Sequence, residues 1–229
     1  MAPWHKILKN TFKTLVATGA LLFFIHIVFQ FIARAYPLFG ESWIFKFFDF
    51  GLEGNLPTFF SGFLFILLSI SAWFCGVSDK YRGVERKDWL PWMLVSALLL
   101  FLSIDEVGEI HEQLTDPMRE LIGAGGFLFF AWIIPYALAL FLLSMYFIPF
   151  LSRLSQKTKL LVFVGAFIFV LGAIGLEMIG AKLYESGAAT HIIYTIVSSL
   201  EEMFEFMGIL IVLKGLFNEV LFRIGANED

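Results

Sequence analysis

Six stretches of the chain stay apolar for long enough to cross a lipid bilayer, and short polar segments separate them. They lie near 14–33, 58–77, 88–106, 127–151, 159–181 and 191–213, each close to the ~20 residues a spanning helix needs. The third is short in apolar count and reaches full length only by carrying its acidic continuation into the interface. Backbone groups in lipid must be satisfied within their own segment, so each stretch is read as an α-helix. The pattern predicts an all-α, polytopic transmembrane helix bundle of about six spans. It forms a single integral membrane domain over 1–229, with compact connections and no internal repeat. The segment 37–56 is too polar to span and too aromatic for a plain loop. Trp43, Phe45, Phe47, Phe48 and Phe50 surround Lys46 and Asp49 there, the pattern of a short interfacial helix at headgroup level.

Composition strengthens this picture. Hydrophobic residues make up 59% of the chain and charged residues 16%, with a mean hydropathy of +0.82. Soluble domains sit nearer half apolar and a quarter charged. The net charge of -4 comes with no basic face, which excludes nucleic acid as a partner. Cys75 is the only cysteine, so there is no internal disulfide framework and no thiolate zinc or iron–sulfur site.

The distribution of basic residues sets an orientation. With the N-terminus cytoplasmic, one side receives Lys6, Lys9, Lys13, Lys80, Arg82, Arg86, Lys87, Arg153, Lys157, Lys159, Lys214 and Arg223. The other side receives Arg34, Lys46, Arg119 and Lys182. This twelve-to-four split of the 16 basic residues places both termini in the cytoplasm, in a bacterial plasma or inner membrane. The first helix has the basic start of a secretory signal and an Ala33-Arg34-Ala35 sequence. Its long apolar core and the arginine within that motif favour an uncleaved anchor.

Against this background the acids stand out. Ionisable groups at membrane depth cost a few kcal/mol each and usually face the bundle interior. On the sixth helix His191, Tyr194, Ser198, Glu201, Glu202 and Glu205 fall within an arc of roughly 100°. Entering from Thr190, Glu201 to Glu205 lie roughly 16 to 22 Å along the helix, well inside the hydrocarbon. The fifth helix carries Glu177, with Ala166, Ala173, Gly180 and Ala181 on its side, small residues that admit a close neighbour. The third ends in Asp105, Glu106, Glu109, His111 and Glu112. On an unbroken helix His111 points away from Glu106, and it joins the others only if Gly108 bends the segment. His26, Gln30 and Arg34 form a polar stripe on the first helix.

The candidate metal ligands are therefore Glu106, Glu109, His111, Glu177, His191, Glu201, Glu202 and Glu205. Each has a plainer alternative. Glu109, Glu112, Asp116 and Glu120 also fit a solvated acidic face. His191 fits an interfacial helix start, His26 and Gln30 fit helix–helix hydrogen bonds, and Glu177 fits an ion pair with Arg34. A carboxylate-rich site with one or two imidazoles and no thiolates suits iron, zinc, manganese or calcium. The Glu-x-x-His spacing of di-iron bundles is absent; Glu106-x-x-Glu109, Glu109-x-x-Glu112 and Glu202-x-x-Glu205 carry carboxylate in its place. Three classes stay open. One is divalent-cation or proton binding for transport or sensing. Another is a membrane metalloenzyme, an oxidoreductase or hydrolase acting on a hydrophobic substrate. The last is an accessory subunit whose buried acids pair with a partner, either a second copy of the chain or another membrane protein.

Overall fold

The computed structural model describes residues 3–225. Among these the regular structure is entirely helical. Five helices are long and apolar enough to cross a membrane: α1 (Pro3–Ala35), α4 (Leu56–Tyr81), α5 (Arg86–Gly108), α8 (Ile133–Leu151) and the continuous rod Gln156–Glu185. Two short helices, α2 (Pro37–Gly40) and α3 (Trp43–Phe48), follow α1, and α6 (Ile110–Gln113) and α7 (Thr115–Ile122) follow α5. The rod comprises α9 (Gln156–Val170), a π-helical stretch (Leu171–Leu176) and α10 (Glu177–Glu185). The last helix, α11 (Ile192–Arg223), is 32 residues long but carries Glu201, Glu202, Glu205, Lys214 and Glu219 along its length, so it lacks the long weakly charged stretch that each of the other five contains.

Local chemistry places the helix starts. Ser42, Asn55 and Ser155 each accept a backbone N–H three residues on, at Phe45, Thr58 and Thr158, and so satisfy one of the otherwise orphaned amide donors of a helix N-terminus. Pro57 sits in the first turn of α4, where its missing N–H costs nothing.

The core runs along α4 and α11. Leu64, Leu68, Ala72 and Cys75 face Ile209, Leu213, Leu216 and Phe217 with almost no exposure. α1 contributes a single buried stripe, Leu15, Gly19, Leu22 and His26, and turns its other faces outward. α11 approaches α9 closely because both are glycine at the crossing. A Cβ on Gly208 would lie 2.6 Å from the Phe169 nitrogen, and one on Gly165 would lie 2.8 Å from the Gly208 oxygen. The π-helical stretch comes equally near, since a Cβ on Gly172 would meet the Glu201 oxygen at 2.8 Å.

One face of the bundle gathers the ends of several helices. Arg223 at the end of α11 binds Asp79 at the end of α4. The Arg82 guanidinium donates to the Arg223 carbonyl. Arg153, just beyond α8, pairs with Asp88 of α5 at 2.7 Å.

The fourth span starts later than its hydropathy predicts. Residues 127–132 are a 3-10 turn (Gly126–Leu128) followed by turns, and the helix begins at Ile133. Gly123 and Gly126 have positive φ, which prevents a helix from propagating through them. Ala131, Trp132 and Ile133 are then buried as a plug.

Candidate functional site

The long helices enclose a cavity of about 680 Å³ between the end of α5, the start of α8, the rod and the first half of α11. α5 supplies Asp105 and Glu106, α10 Glu177, and α11 Glu201, Glu202 and Glu205. Glu53 enters from the segment after α3, and His111 and Glu112 from α6. Eight carboxyls and one imidazole thus line a single space, and no lysine or arginine does.

His111 reaches this space through a break in the backbone. α5 stops at Gly108, and Glu109 adopts the left-handed conformation with φ 53° and ψ 37°. That turn lets the backbone N–H of His111 donate to Asp105 Oδ1 at 2.9 Å and brings its ring back beside the same carboxylate, Nδ1 to Oδ2 3.5 Å. The bend that the sequence required of Gly108 is therefore made one residue later. Asp105, almost fully buried, also accepts from the Tyr136 hydroxyl at 2.8 Å. On its other edge His111 Nε2 faces Glu53 Oε1 at 3.3 Å, and the Trp132 ring packs edge-on, 4.8 Å between centroids. Burial of the imidazole opposes its charge, but the hydrogen bonds to Asp105 and Glu53 outweigh this and push its pKa up to about 11. Glu112 is held above the usual carboxylate range by partial burial and by the nearby Glu53 charge. Glu53, His111 and Glu112 each offer a ligand atom within 4.8 Å of the others.

Deeper in, the carboxyls of Glu177 and Glu201 lie close enough to interact, and the Trp132 indole N–H donates to Glu177 at 3.3 Å. The Ser61 hydroxyl bonds Glu106. Glu53 Oε2 is buried and has no hydrogen-bond partner among the described residues. The π-helical stretch feeds into Glu177, and the bare backbone at Gly172 lets this rod lie against Glu201 and Glu205. Such π-turns recur at functional sites because the extra residue re-aims the side chains of the next helical turn.

Of the eight candidate ligands, Glu106, His111, Glu177, Glu201, Glu202 and Glu205 line the cavity. Glu109 and His191 do not. The left-handed turn at Glu109 directs its side chain to Gly54 and into a shallower surface depression shared with Glu53 and Glu112. His191 is the exposed residue before α11 begins. Glu177 meets Trp132 and Glu201 in place of the ion pair with Arg34. His26 and Gln30 serve the plainer role. His26 Nδ1 accepts the Phe50 N–H at 3.1 Å while Nε2 meets Ser199 at 2.9 Å, and Gln30 binds Asp49 at 2.9 Å. Together they tie the aromatic segment to α1 and α11. Glu53, Tyr136 and Trp132 carried no sequence signal, because each reaches the cavity from a turn or a helix end.

Long apolar helices around an acid-lined interior define a multi-pass helical membrane protein. The chain belongs to the family described as a domain of unknown function (DUF8692), whose model matches residues 14–218, from within α1 to near the end of α11. No curated protein matches it, and no solved structure does.

Proposed function

We propose that the protein is an intramembrane divalent-cation centre, with α11 as a sixth span and both termini on the cytoplasmic face. The sign of the charge in the cavity carries this reading. Eight carboxyls share it with one imidazole and, among the described residues, no other basic group, and two of them, Glu177 and Glu201, lie close enough to interact. Carboxylates this close in a low-dielectric interior need protons or cations between them. A bound cation is the largest local charge such a site acquires, and it reverses the cost of burying the acids. Oxygen donors with one imidazole suit iron, manganese, zinc or calcium. Asp105 orients His111 from behind through Nδ1, so that Nε2 and the Glu53 carboxyl it faces would offer themselves to an ion together, the arrangement in which an outer carboxylate fixes a ligand imidazole. Glu53 and Glu112 supply oxygens within 4.8 Å of the imidazole, and Glu106, Glu177, Glu201, Glu202 and Glu205 offer further oxygens deeper in the cavity. The grouping of Lys80, Arg82, Arg153 and Arg223 at one end of the bundle supports the orientation.

Exchange between protonated and cation-bound carboxylates suits transport or sensing. The apolar continuation of the same cavity favours a second use, metal-assisted oxidation or hydrolysis of a hydrophobic molecule.

Metal analysis of purified protein tests the centre. The wild type is expected to retain one or two divalent ions per chain, and Glu202→Gln to lose most of them. Tight stoichiometric retention favours chemistry, whereas readily exchanged ions with proton-coupled flux in vesicles favour transport. If Glu201, Glu202 and Glu205 can all become Gln without change in metal, flux or stability, there is no centre.

A further inference from the structure

The cavity changes character along its length, and it does so in step on every helix that lines it. On α5 the lining passes from Glu106 to Leu98, and on α8 from Tyr136 to Leu143. On the rod it passes from Glu177 to Ala166, and on α11 from Glu205 to Val212. At a rise of 1.5 Å per residue these intervals span roughly 10 to 16 Å. They run antiparallel on neighbouring helices, so the acids collect at one end and the aliphatic residues at the other. About 680 Å³ is within the ~300–1,000 Å³ range of small-molecule sites.

α8 leaves this apolar arm open sideways. Its start is pinned by the buried plug Ala131, Trp132 and Ile133, and its far end by Phe150 packed edge-on against Trp92, 4.9 Å between centroids. Between them Leu138, Ala139, Leu140, Phe141 and Leu142 are all exposed. Five consecutive exposed residues exceed one 3.6-residue turn, so α8 stands off its neighbours on every side at mid-helix. Ala139 and Leu140 line the cavity while facing outward space, which makes the gap beside α8 a window at the depth of lipid chains.

We propose that this cavity binds a single-chain alkyl amphiphile with an uncharged or cationic head, an alcohol or an amine. The head lies among Tyr136 and the carboxyls, and the chain fills the arm between α5, α8 and α9. The apolar arm selects the chain, since burying it against Leu98, Leu102, Leu143 and Phe169 gains the same hydrophobic contact as lipid together with a fixed place for the head. The acids select the head. This part rests on the reading of the site as a cation centre, because even two divalent ions and a charged imidazole do not over-neutralise eight carboxyls. A phosphate head meets no lysine or arginine in the lining.

The full chain in nanodiscs is titrated with a radiolabelled long-chain alkyl amine, the matching alcohol and the alkyl phosphate of equal chain length. Saturable binding of the amine or alcohol is expected at one per chain, with the phosphate weaker by at least about tenfold, a difference of 1.4 kcal/mol. Ala139→Phe and Leu143→Trp block the arm from a helix that already borders lipid, so folding does not depend on them. Each is expected to weaken binding at least about tenfold while bound metal and thermal stability stay at wild-type levels. Equal binding of the phosphate, or unchanged binding by both blocked variants, overturns the proposal. Retained metal without amphiphile binding overturns it and leaves the cation centre standing. Amphiphile binding that is lost in the blocked variants, in protein that holds no metal, supports it and removes the cation centre.

Discussion

The bundle buries acid at both ends, and the two clusters are built in opposite ways. At the end where the helix termini gather, Asp79 and Glu219 are each met by one guanidinium. Arg223 donates to both Asp79 oxygens at 3.0 and 2.7 Å and to Glu219 at 2.6 Å, and its plane lies 5.2 Å from the Trp92 ring. The packing around this group is complete, and nothing more is needed to hold it. At the other end eight carboxyls surround a cavity with a single imidazole. Buried ion pairs whose members are all bonded act as structure, whereas a buried excess of one sign needs protons or cations among its members. The presence of both in one molecule shows that the second arrangement is not an inability of the fold to place an arginine.

That contrast breaks most readily at Arg223. Arg223→Met leaves Asp79 and Glu219 buried without a donor, and loss of about 3–5 kcal/mol is expected, read as a lowered Tm of the purified protein in detergent. Glu205→Gln should leave the Tm of metal-free protein unchanged or raised, because it removes repulsion. A loss like that of Arg223→Met would mean that the acidic end is structural as well. The next largest effect falls on Asp105→Asn, which keeps the shape but weakens the support behind His111. Metal affinity should drop about 10–100-fold, measured by competition with a chelating dye, and an unchanged affinity would remove His111 from the ligand set.

A smaller effect concerns pH in chelated, metal-free protein. The folded pKa of His111, about 11, lies above its ordinary 6.5, so its stabilising contribution is complete below about pH 6.5. It declines as the unfolded chain releases the proton and is gone once pH passes about 11. Subtracting the stability curve of His111→Gln from that of the wild type should give a difference that shrinks over this interval, and a flat difference contradicts the charged pairing. The smallest effect is expected at Glu109. Glycine relieves the left-handed backbone there, so Glu109→Gly should be neutral or stabilising by up to about 1 kcal/mol with metal retention unchanged. Loss of metal in that variant would return Glu109 to the site.

The parts of this molecule legible in the sequence are those that periodicity controls. Long apolar runs fix five helices, and the spacing of Glu201, Glu202 and Glu205 on one face of α11 brings all three to the cavity. Where a residue departs from helical spacing, sequence reading loses it. The acidic end of the third apolar stretch is broken at Glu109, and that break separates Glu109 from the cavity while delivering His111 to it. Gly123 and Gly126, both with positive φ, stand just before the apolar run and delay α8. The small residues noted around Glu177 are replaced in importance by Gly165, Gly172 and Gly208, because the contact they serve depends on where the π-helical stretch rotates the rod. Glu53 lies in a segment whose aromatic content masked the acid it sends into the cavity.

Arg223 and Asp79 are 144 residues apart, and that distance orders events during synthesis. When α4 emerges into the membrane its terminal aspartate lacks the guanidinium, and it stays so until the ribosome has made the 144 residues that follow. α11, produced after the other described helices, brings the missing guanidinium together with the three glutamates of the cavity wall. It enters against α4 and α9, whose glycine contacts and apolar faces are already in place to receive it. Chains shortened before residue 223 would therefore leave an unpaired aspartate in a half-built bundle, a defect that membrane quality control is well placed to recognise.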